Sequence, residues 1–178
     1  MAAPHGGDER PTLTLLRMSS ALRTVPYIPE AEADLTMRYP PEFAQPMRDE
    51  MTASGFAELL TPAEVDEAMA IKDQTVLVVV NSICGCAAGK ARPGVRMALR
   101  HDVVPDRLFT VFAGMELDAT DRAREYFEGY PPSSPQIALM KNGRLLHMVE
   151  RKDIEGRDAP AIAAELIGAF DTFCGQPA

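Results

Sequence analysis

The stretch TVLVVVNSICGCAAGK, residues 75–90, predicts the fold of the chain around it. Its first part, Thr75–Asn81, is β-branched and apolar at both alternating sets of positions, which is typical of a strand covered on both faces. The following residues, AAGKARPGVRMALRHD, have the apolar spacing of a helix, with a Pro-Gly pair that predicts a kink. Cys84 and Cys86 therefore lie where a buried strand ends and a helix begins. Catalytic groups of open α/β sheets gather at this position.

The remaining pattern predicts an α/β domain around this strand. Phe43, Met47 and Met51 recur at helical spacing, which indicates an amphipathic opening helix. The sequence TPAEVDEAMAI, which starts at Thr61, carries the capping box of a second helix. The later predicted elements are, in chain order, a second buried strand (108–114), a helix (118–130) capped by Asp118 with Phe127 and Tyr130 inward, a hairpin at Asn142-Gly143, and a closing helix (158–173).

This order predicts a central mixed sheet of about four strands flanked by helices, with a helical addition on the N-terminal side. Residues 1–38 carry scattered charge, several prolines and one short apolar patch. We therefore expect a flexible arm there and a single domain at 39–178. Translation from Met37 is a further expectation, because the organised sequence begins just after it.

Composition and charge argue against nucleic-acid and membrane functions. The 178 residues include 26 acidic and 18 basic side chains, for a net charge of −8, with no basic face of the kind that binds nucleic acid. No apolar run approaches the length of a membrane span, and the N-terminus is acidic where a signal peptide needs positive charge. The odd number of cysteines does not make a disulfide framework, so we expect the cytoplasm.

The Cys-Gly-Cys spacing permits a redox disulfide. Two Cα–Cα steps of about 3.8 Å each can supply the separation that a disulfide needs, and Gly85 allows the dihedral angles of so small a ring. Such a ring is expected to be strained and easily reduced. The helix start favours the Cys84 thiolate, with Lys90 and Arg92 as further positive charges. Cys86, one residue inside and expected to be shielded, suits a resolving role.

Two other interpretations of the pair stay open at this point. The cysteines can be small core residues, or they can bind a soft metal or an iron–sulfur cluster. A closed metal site needs about four ligands, and the other candidates, Cys174, His5, His101 and His147, include no second close pair. This spacing argues against a closed metal site.

The sequence resembles the thioredoxin fold in its order of strand, active-site cysteines, helix, strand, helix and β-hairpin. In that fold a cis-proline precedes the hairpin and faces the cysteines, and the matching residue is Pro135 in SSPQIALMKNGRLLHMVE. Asn81, a polar residue at the strand end, either orients the active-site loop or serves as a turn former. Many thioredoxins have a buried Asp and an aromatic residue where this chain has Val78 and Ile83.

The chain is more similar still to the bacilliredoxin family, which has Cys-Gly-Cys in a thioredoxin-like domain. The segments that carry this resemblance are NSICGCAAGKARP, TVFAG, REYFEGYPPSSP and RKDIEG, within about Tyr39 to Cys174. The resemblance implies a thiol–disulfide oxidoreductase that removes bacillithiol from mixed disulfides on client proteins. Cys84 would attack and Cys86 would resolve.

The same resemblance implies no bound cofactor or metal. Bacillithiol, or another low-molecular-weight thiol, would be a co-substrate, and oxidised client proteins would be the partners. Gly85, Pro135 and Asn81 are the further site candidates. Two alternatives remain: a broader protein disulfide isomerase or oxidase, and a non-catalytic metal or iron–sulfur module that uses Cys84, Cys86 and Cys174.

Overall fold

The computed structural model describes residues 1–2, 39–83 and 85–175. The predicted arm at 1–38 therefore lies outside the described residues except for its first two, and so does Cys84. The chain divides into the units Met1–Ala31 and Glu32–Ala178, and the elements below belong to the second. None of the described helices has the length and apolar character that a membrane span requires.

The described residues of the second unit form six helices and five strands. The helices are α1 (Pro41–Thr52), α2 (Pro62–Met69), α3 (Gly85–Ala98), α4 (Leu117–Glu125), α5 (Arg151–Ile154) and α6 (Ala159–Phe173). The strands are β1 (Ala57–Glu58), β2 (Thr75–Asn81), β3 (Arg107–Phe112), β4 (Gln136–Lys141) and β5 (Arg144–Val149). The predicted order is confirmed, with β1 and α5 as additions that are too short to produce a periodic signal.

The five strands form one mixed sheet in the order β1-β3-β2-β4-β5. The β1–β3 and β3–β2 pairs are parallel, whereas β4 runs antiparallel to β2 and β5 antiparallel to β4. All seven residues of β2 are buried, as the apolar run predicts. The fold is thus α/β with a central mixed sheet, and it is consistent with the thioredoxin-like architecture expected from the sequence.

Each face of the sheet carries its own apolar core. Leu77 and Val79 point into the core under α3 and α6, and the alternating Val76, Val78 and Val80 point into the core under α2 and α4. The close approach of α3 and α6 depends on Gly94. A Cβ at that position would lie 2.9 Å from Ile162.

Several local predictions are confirmed. The Thr61 hydroxyl accepts from the Glu64 amide and the Glu64 carboxylate accepts from the Thr61 amide, which completes the capping box of α2. Hydrogen bonds from the Leu60 amide and from the Thr61 amide to the Glu64 carboxylate lower its pKa. Asn142 and Gly143 both have positive φ and join β4 to β5, the geometry of a tight hairpin.

The amphipathic α1 is confirmed, with Ala44 and Met51 buried, although Phe43 is 61% exposed. Two assignments near α4 are wrong. Asp118 lies in the first turn of α4, whose N-cap is Glu116. Tyr130 is 41% exposed, since the chain leaves the helix before Gly129, where φ is +83°.

Candidate active site

The Cys-Gly-Cys motif lies at the end of β2, as predicted. β2 ends at Asn81 and α3 begins at Gly85, so only three residues separate the buried strand from the helix. We call this side of the sheet, where β2 ends, the carboxyl edge. Cys84, the predicted nucleophile, lies outside the described residues. The amide groups of the first turn of α3 provide the positive end of a helix dipole immediately after it in sequence.

Cys86 is exposed, and the prediction that it is shielded is wrong. Ala87 and Ala88 follow it in the first turns of α3 and are 1% and 0% exposed. These two alanines face the interior, which turns the preceding residue towards solvent. A Cβ at Gly85 would meet no atom within 4 Å, so the surroundings do not require glycine there. That the small disulfide ring needs the dihedral angles of glycine at this position stays a prediction.

Asn81 connects the motif to two helices. It is 1% exposed, its Nδ2 donates to the Met47 carbonyl of α1 at 3.3 Å, and its Oδ1 accepts from the Ser82 amide at 2.9 Å. The same Oδ1 accepts from Arg92 Nη1 of α3 at 3.2 Å. Asn81 therefore holds the backbone that leads into the motif, which supports the orienting role over that of a simple turn former.

Arg92 has a different role from the one predicted. Its side chain is 10% exposed, and Nε donates to Glu50 Oε2 at 2.7 Å. Its Nη1 donates to the Ser82 carbonyl at 3.3 Å as well as to Asn81. The guanidinium therefore hydrogen-bonds to both the end of β2 and α1, and it positions the loop before Cys84. No local sequence pattern indicates this role, because the contacts join residues ten or more positions apart.

Pro135 also lies at the carboxyl edge. The Ser134–Pro135 peptide bond is cis, as the resemblance predicts. Gln136 pairs with Val80 in the antiparallel β2–β4 ladder, which places the loop before β4 beside the end of β2. Gln136 is 0% exposed; its Nε2 donates to the Pro131 carbonyl at 3.0 Å and its Oε1 accepts from the Ser133 amide at 3.1 Å. The buried side-chain amide of Gln136 thus holds this loop through two hydrogen bonds.

Two arginines, from α4 and α5, also hold this loop through hydrogen bonds to its carbonyls. Arg124 Nη2 of α4 donates to the Ser133 carbonyl at 3.1 Å. Arg151 Nη1 of α5 donates to the Ser134 carbonyl at 3.3 Å. Sequence reasoning missed both, since a basic residue on a polar helix looks like part of a solvated face. The structure therefore brings Asn81, the start of α3 and the cis-proline loop to one edge, with three arginines that support them.

A cavity lies on each side of the motif. One, of about 540 Å³, is lined by Cys86 and Lys90 of α3 and by Arg157 and Asp158, which directly precede α6. The other, of about 450 Å³, is lined by Ser82 and Ile83, by residues of α4, and by Ser134 and Arg151. Both cavities thus lie close to the motif, and the exposed Cys86 lines the larger of the two.

Cys174 lies far from this edge. It is in hydrogen-bond contact with Thr75, the first residue of β2, and burial raises the pKa of its thiol. His101, just beyond the far end of α3, pairs with Asp171 at 2.7 Å. Because β2 spans about 20 Å at ~3.3 Å per residue, Cys174 cannot join Cys86 in one metal site. Within the described ranges, no three His, Cys, Asp or Glu side chains form a group suited to a metal ion.

The other histidine of the described domain also lies away from the motif. His147, in β5, lies 3.4 Å from Glu165 of α6. β5 is an edge strand of the sheet, and β4 separates it from β2, the strand that leads to the motif. His101 and His147 are thus not brought to the motif as acid or base.

Comparisons with known proteins agree with this geometry. Residues 39–174 match the model of a family described as disulphide isomerase. A bacilliredoxin of Koribacter versatilis is 53% identical over 140 residues, which cover 79% of this chain and 97% of the relative. A bacilliredoxin of Salinibacter ruber is 53% identical over 142 residues, 79% and 84% of the two chains. One of Staphylococcus aureus is 50% identical over 129 residues, 72% and 88%.

These relatives support a thiol–disulfide redox function for the chain, that of an oxidoreductase. The match reaches from two residues before α1 to one residue past α6 and so includes every helix and strand of the described domain. The chain therefore belongs to the disulphide isomerase family that includes the bacilliredoxins.

Proposed function

We propose that the protein removes a low-molecular-weight thiol, most specifically bacillithiol, from mixed disulfides on client proteins. The observation that carries this proposal is the convergence of the end of β2, the start of α3 and the cis-proline loop at one edge, directly around a Cys-Gly-Cys motif. The names of the relatives support bacillithiol as the thiol. No metal or bound organic cofactor is needed for the exchange.

The reaction consists of two thiolate exchanges. The Cys84 thiolate attacks the low-molecular-weight sulfur of the mixed disulfide, a new disulfide forms between Cys84 and that thiol, and the client leaves as a thiolate. The Cys86 thiolate then attacks Cys84, the intramolecular disulfide forms, and the low-molecular-weight thiol leaves. Two further thiol molecules reduce the Cys84–Cys86 disulfide and leave as their own disulfide.

The described residues act in this cycle by positioning. Asn81 and Arg92 hold the backbone of Ser82, two residues before the attacking sulfur. The first turn of α3 stabilises negative charge on the thiolate that precedes it. The exposure of Cys86 gives the reducing thiols access to this sulfur in the intramolecular disulfide. The reducing cytoplasm is the compartment we propose for this cycle.

Dethiolation kinetics test the proposal. A client protein carrying one bacillithiol is incubated with the reduced full chain or with its Cys84→Ala, Cys86→Ala or Cys174→Ala variant, and the freed client thiol is measured. We expect Cys84→Ala to lose the activity and Cys86→Ala to complete one transfer. Cys174→Ala should match the parent, because this thiol lies at the far end of β2. Full activity of Cys84→Ala would refute the assignment of the nucleophile.

A broader disulfide isomerase is a second candidate, favoured by the description of the matching family. The exposed Cys86 thiol supports it too, since a second accessible thiol can engage protein disulfides directly. Reactivation of scrambled ribonuclease separates the two functions. A narrow dethiolase leaves the scrambled enzyme inactive while it clears bacillithiol from the client, whereas an isomerase restores ribonuclease activity.

A further inference from the structure

An apolar surface borders the motif on the side of α1. It consists of Tyr39, Phe43, Met47 and Ile83, and we call it the α1 patch. Among the large apolar side chains of residues 39–83 and 85–175, Phe43 is the most exposed, at 61%, and Tyr39 is 39% exposed. Single exposed apolar side chains are ordinary on folded proteins, whereas several that adjoin a reactive group indicate a binding surface.

The contacts of α1 place Phe43 beside the motif. Phe43, Met47 and Glu50 lie on one stripe of α1, at positions i, i+4 and i+7. At one end of this stripe, Glu50 accepts from Arg92 Nε of α3 at 2.7 Å. In its middle, the Met47 carbonyl accepts from Nδ2 of Asn81, the last residue of β2, at 3.3 Å. Phe43 lies one turn further, about 6 Å along the helix, and therefore beyond the end of β2.

The inner members of the α1 patch are fixed to the protein core. Met47 and Ile83 are partly buried and pack against a small buried cluster, which consists of Ala44, Phe112 and Met115. The ring of Tyr39 packs on Gly114, where φ is +86° and an added Cβ would lie 2.4 Å from the ring. Tyr39 and Ile83 also line the cavity of about 450 Å³ next to the motif. The patch is therefore a continuous surface up to Ile83, the residue before Cys84.

The exchange reaction determines what can cover this surface. A thiolate must contact the sulfur that it attacks, so the polypeptide of a client must lie over the residues around Cys84. The α1 patch is continuous with this contact surface through Ile83. None of its four side chains carries a charge. Apolar side chains of a client gain most from such a surface, because both partners then lose contact with water.

We propose that the α1 patch binds apolar side chains next to the modified cysteine of the client protein. This inference rests on the proposed function and specifies its partner: a client whose thiol-modified cysteine has large apolar neighbours. The exchange itself is unchanged, since the Cys84 thiolate bonds to the low-molecular-weight sulfur and the client leaves as a thiolate. Phe43 determines specificity and takes no part in the bonds that form and break.

A matched pair of peptides tests the proposal. Each peptide carries one cysteine joined through a disulfide to bacillithiol, and the two residues on either side of the cysteine are leucine in one peptide and serine in the other. Transfer to the Cys86→Ala full chain is followed in a single turnover. Each rate is divided by the rate with dithiothreitol, which removes the intrinsic difference between the two disulfides. We expect the normalised rate to be about fivefold higher for the leucine peptide, as for the partial removal of one leucine side chain from water.

Variants in the same background assign the preference to the α1 patch. Phe43→Ser should bring the preference to about one and leave the rate with the serine peptide unchanged, whereas Phe43→Leu should keep most of the preference. Met97→Ser is the control, because Met97 is also 39% exposed but lies about 18 Å along α3 from Gly85; it should keep the full preference. Circular dichroism and the rate with the serine peptide show whether each variant is folded.

Each remaining outcome overturns the proposal in a distinguishable way. Equal normalised rates for the two peptides refute the apolar docking and leave the proposed function intact. A preference that survives in Phe43→Ser, or that is lost equally in Met97→Ser, refutes the assignment to the α1 patch. A parent that sediments as a dimer and becomes monomeric in Phe43→Ser shows that a second copy covers the patch instead of a client. Transfer from neither peptide refutes the proposed function, and the inference with it.

Discussion

Replacement of Arg92 by methionine tests whether this buried arginine holds the strand end that leads to Cys84. The change removes three donated hydrogen bonds, to Glu50 at 2.7 Å, to Asn81 at 3.2 Å and to the Ser82 carbonyl at 3.3 Å. Methionine keeps most of the apolar stem of the side chain buried. The substitution therefore removes mainly polar interactions and little apolar packing.

The expected fall in the free energy of unfolding follows from these three hydrogen bonds. The short pair with Glu50 has side chains that are 10% and 25% exposed, and such a partly buried ion pair contributes about 1–2 kcal/mol. The two longer bonds contribute about 0.5–1 kcal/mol each, since both approach the distance limit of a hydrogen bond. We expect the free energy of unfolding to fall by about 3 kcal/mol.

Arg96→Met is the matched control. Arg96 lies one turn further along α3 and reaches the same Glu50, but at 3.5 Å and with 46% of its side chain exposed. Such a pair contributes at most a few tenths of a kcal/mol. Urea denaturation of the reduced full chain measures both variants, with an unchanged m value as the condition for comparison. Losses for the two variants within about 0.5 kcal/mol of each other would refute the reasoning.

Three further results are expected. Gly94→Ala should destabilise the protein by about 2 kcal/mol, because the new methyl would lie 2.9 Å from Ile162; Gly89→Ala on the same helix meets no atom within 4 Å and should stabilise it by about 0.5–1 kcal/mol. Thr61→Ala should cost about 1 kcal/mol in a thermal or urea melt, since it removes the cap of α2. Burial raises the pKa of Cys174, so its alkylation by iodoacetamide should reach half its maximal rate at a higher pH in the folded chain than in urea; an equal pH in both states contradicts the burial.

Local patterns carried most of the fold prediction. The apolar run of β2, the Asn142-Gly143 turn and the Thr61 capping box each report on a few adjacent residues, and the structure confirms all three. The two-residue β1 exists only because it pairs with β3. No periodicity over two residues can reveal it.

The location of the motif at a strand-to-helix junction could be predicted from the sequence, whereas its tertiary contacts could not. The junction depends on neighbouring residues, whose pattern is visible in the sequence. The exposure of Cys86 depends on which face of α3 packs on the core, and the burial of Ala87 and Ala88 decides that. The contacts of Arg92, Arg124 and Arg151 join separate elements at the carboxyl edge, and they become visible only once the sheet order is known.

The intact mass of the Cys86→Ala chain tests the central claim most directly. The reduced variant is mixed with a client that carries a single bacillithiol, and both proteins are weighed, with peptide mapping to find the modified cysteine. The account predicts that the client loses one bacillithiol and that the variant gains it at Cys84. A client that keeps its bacillithiol beside an unmodified variant, or a gain at Cys174 instead, would contradict the account.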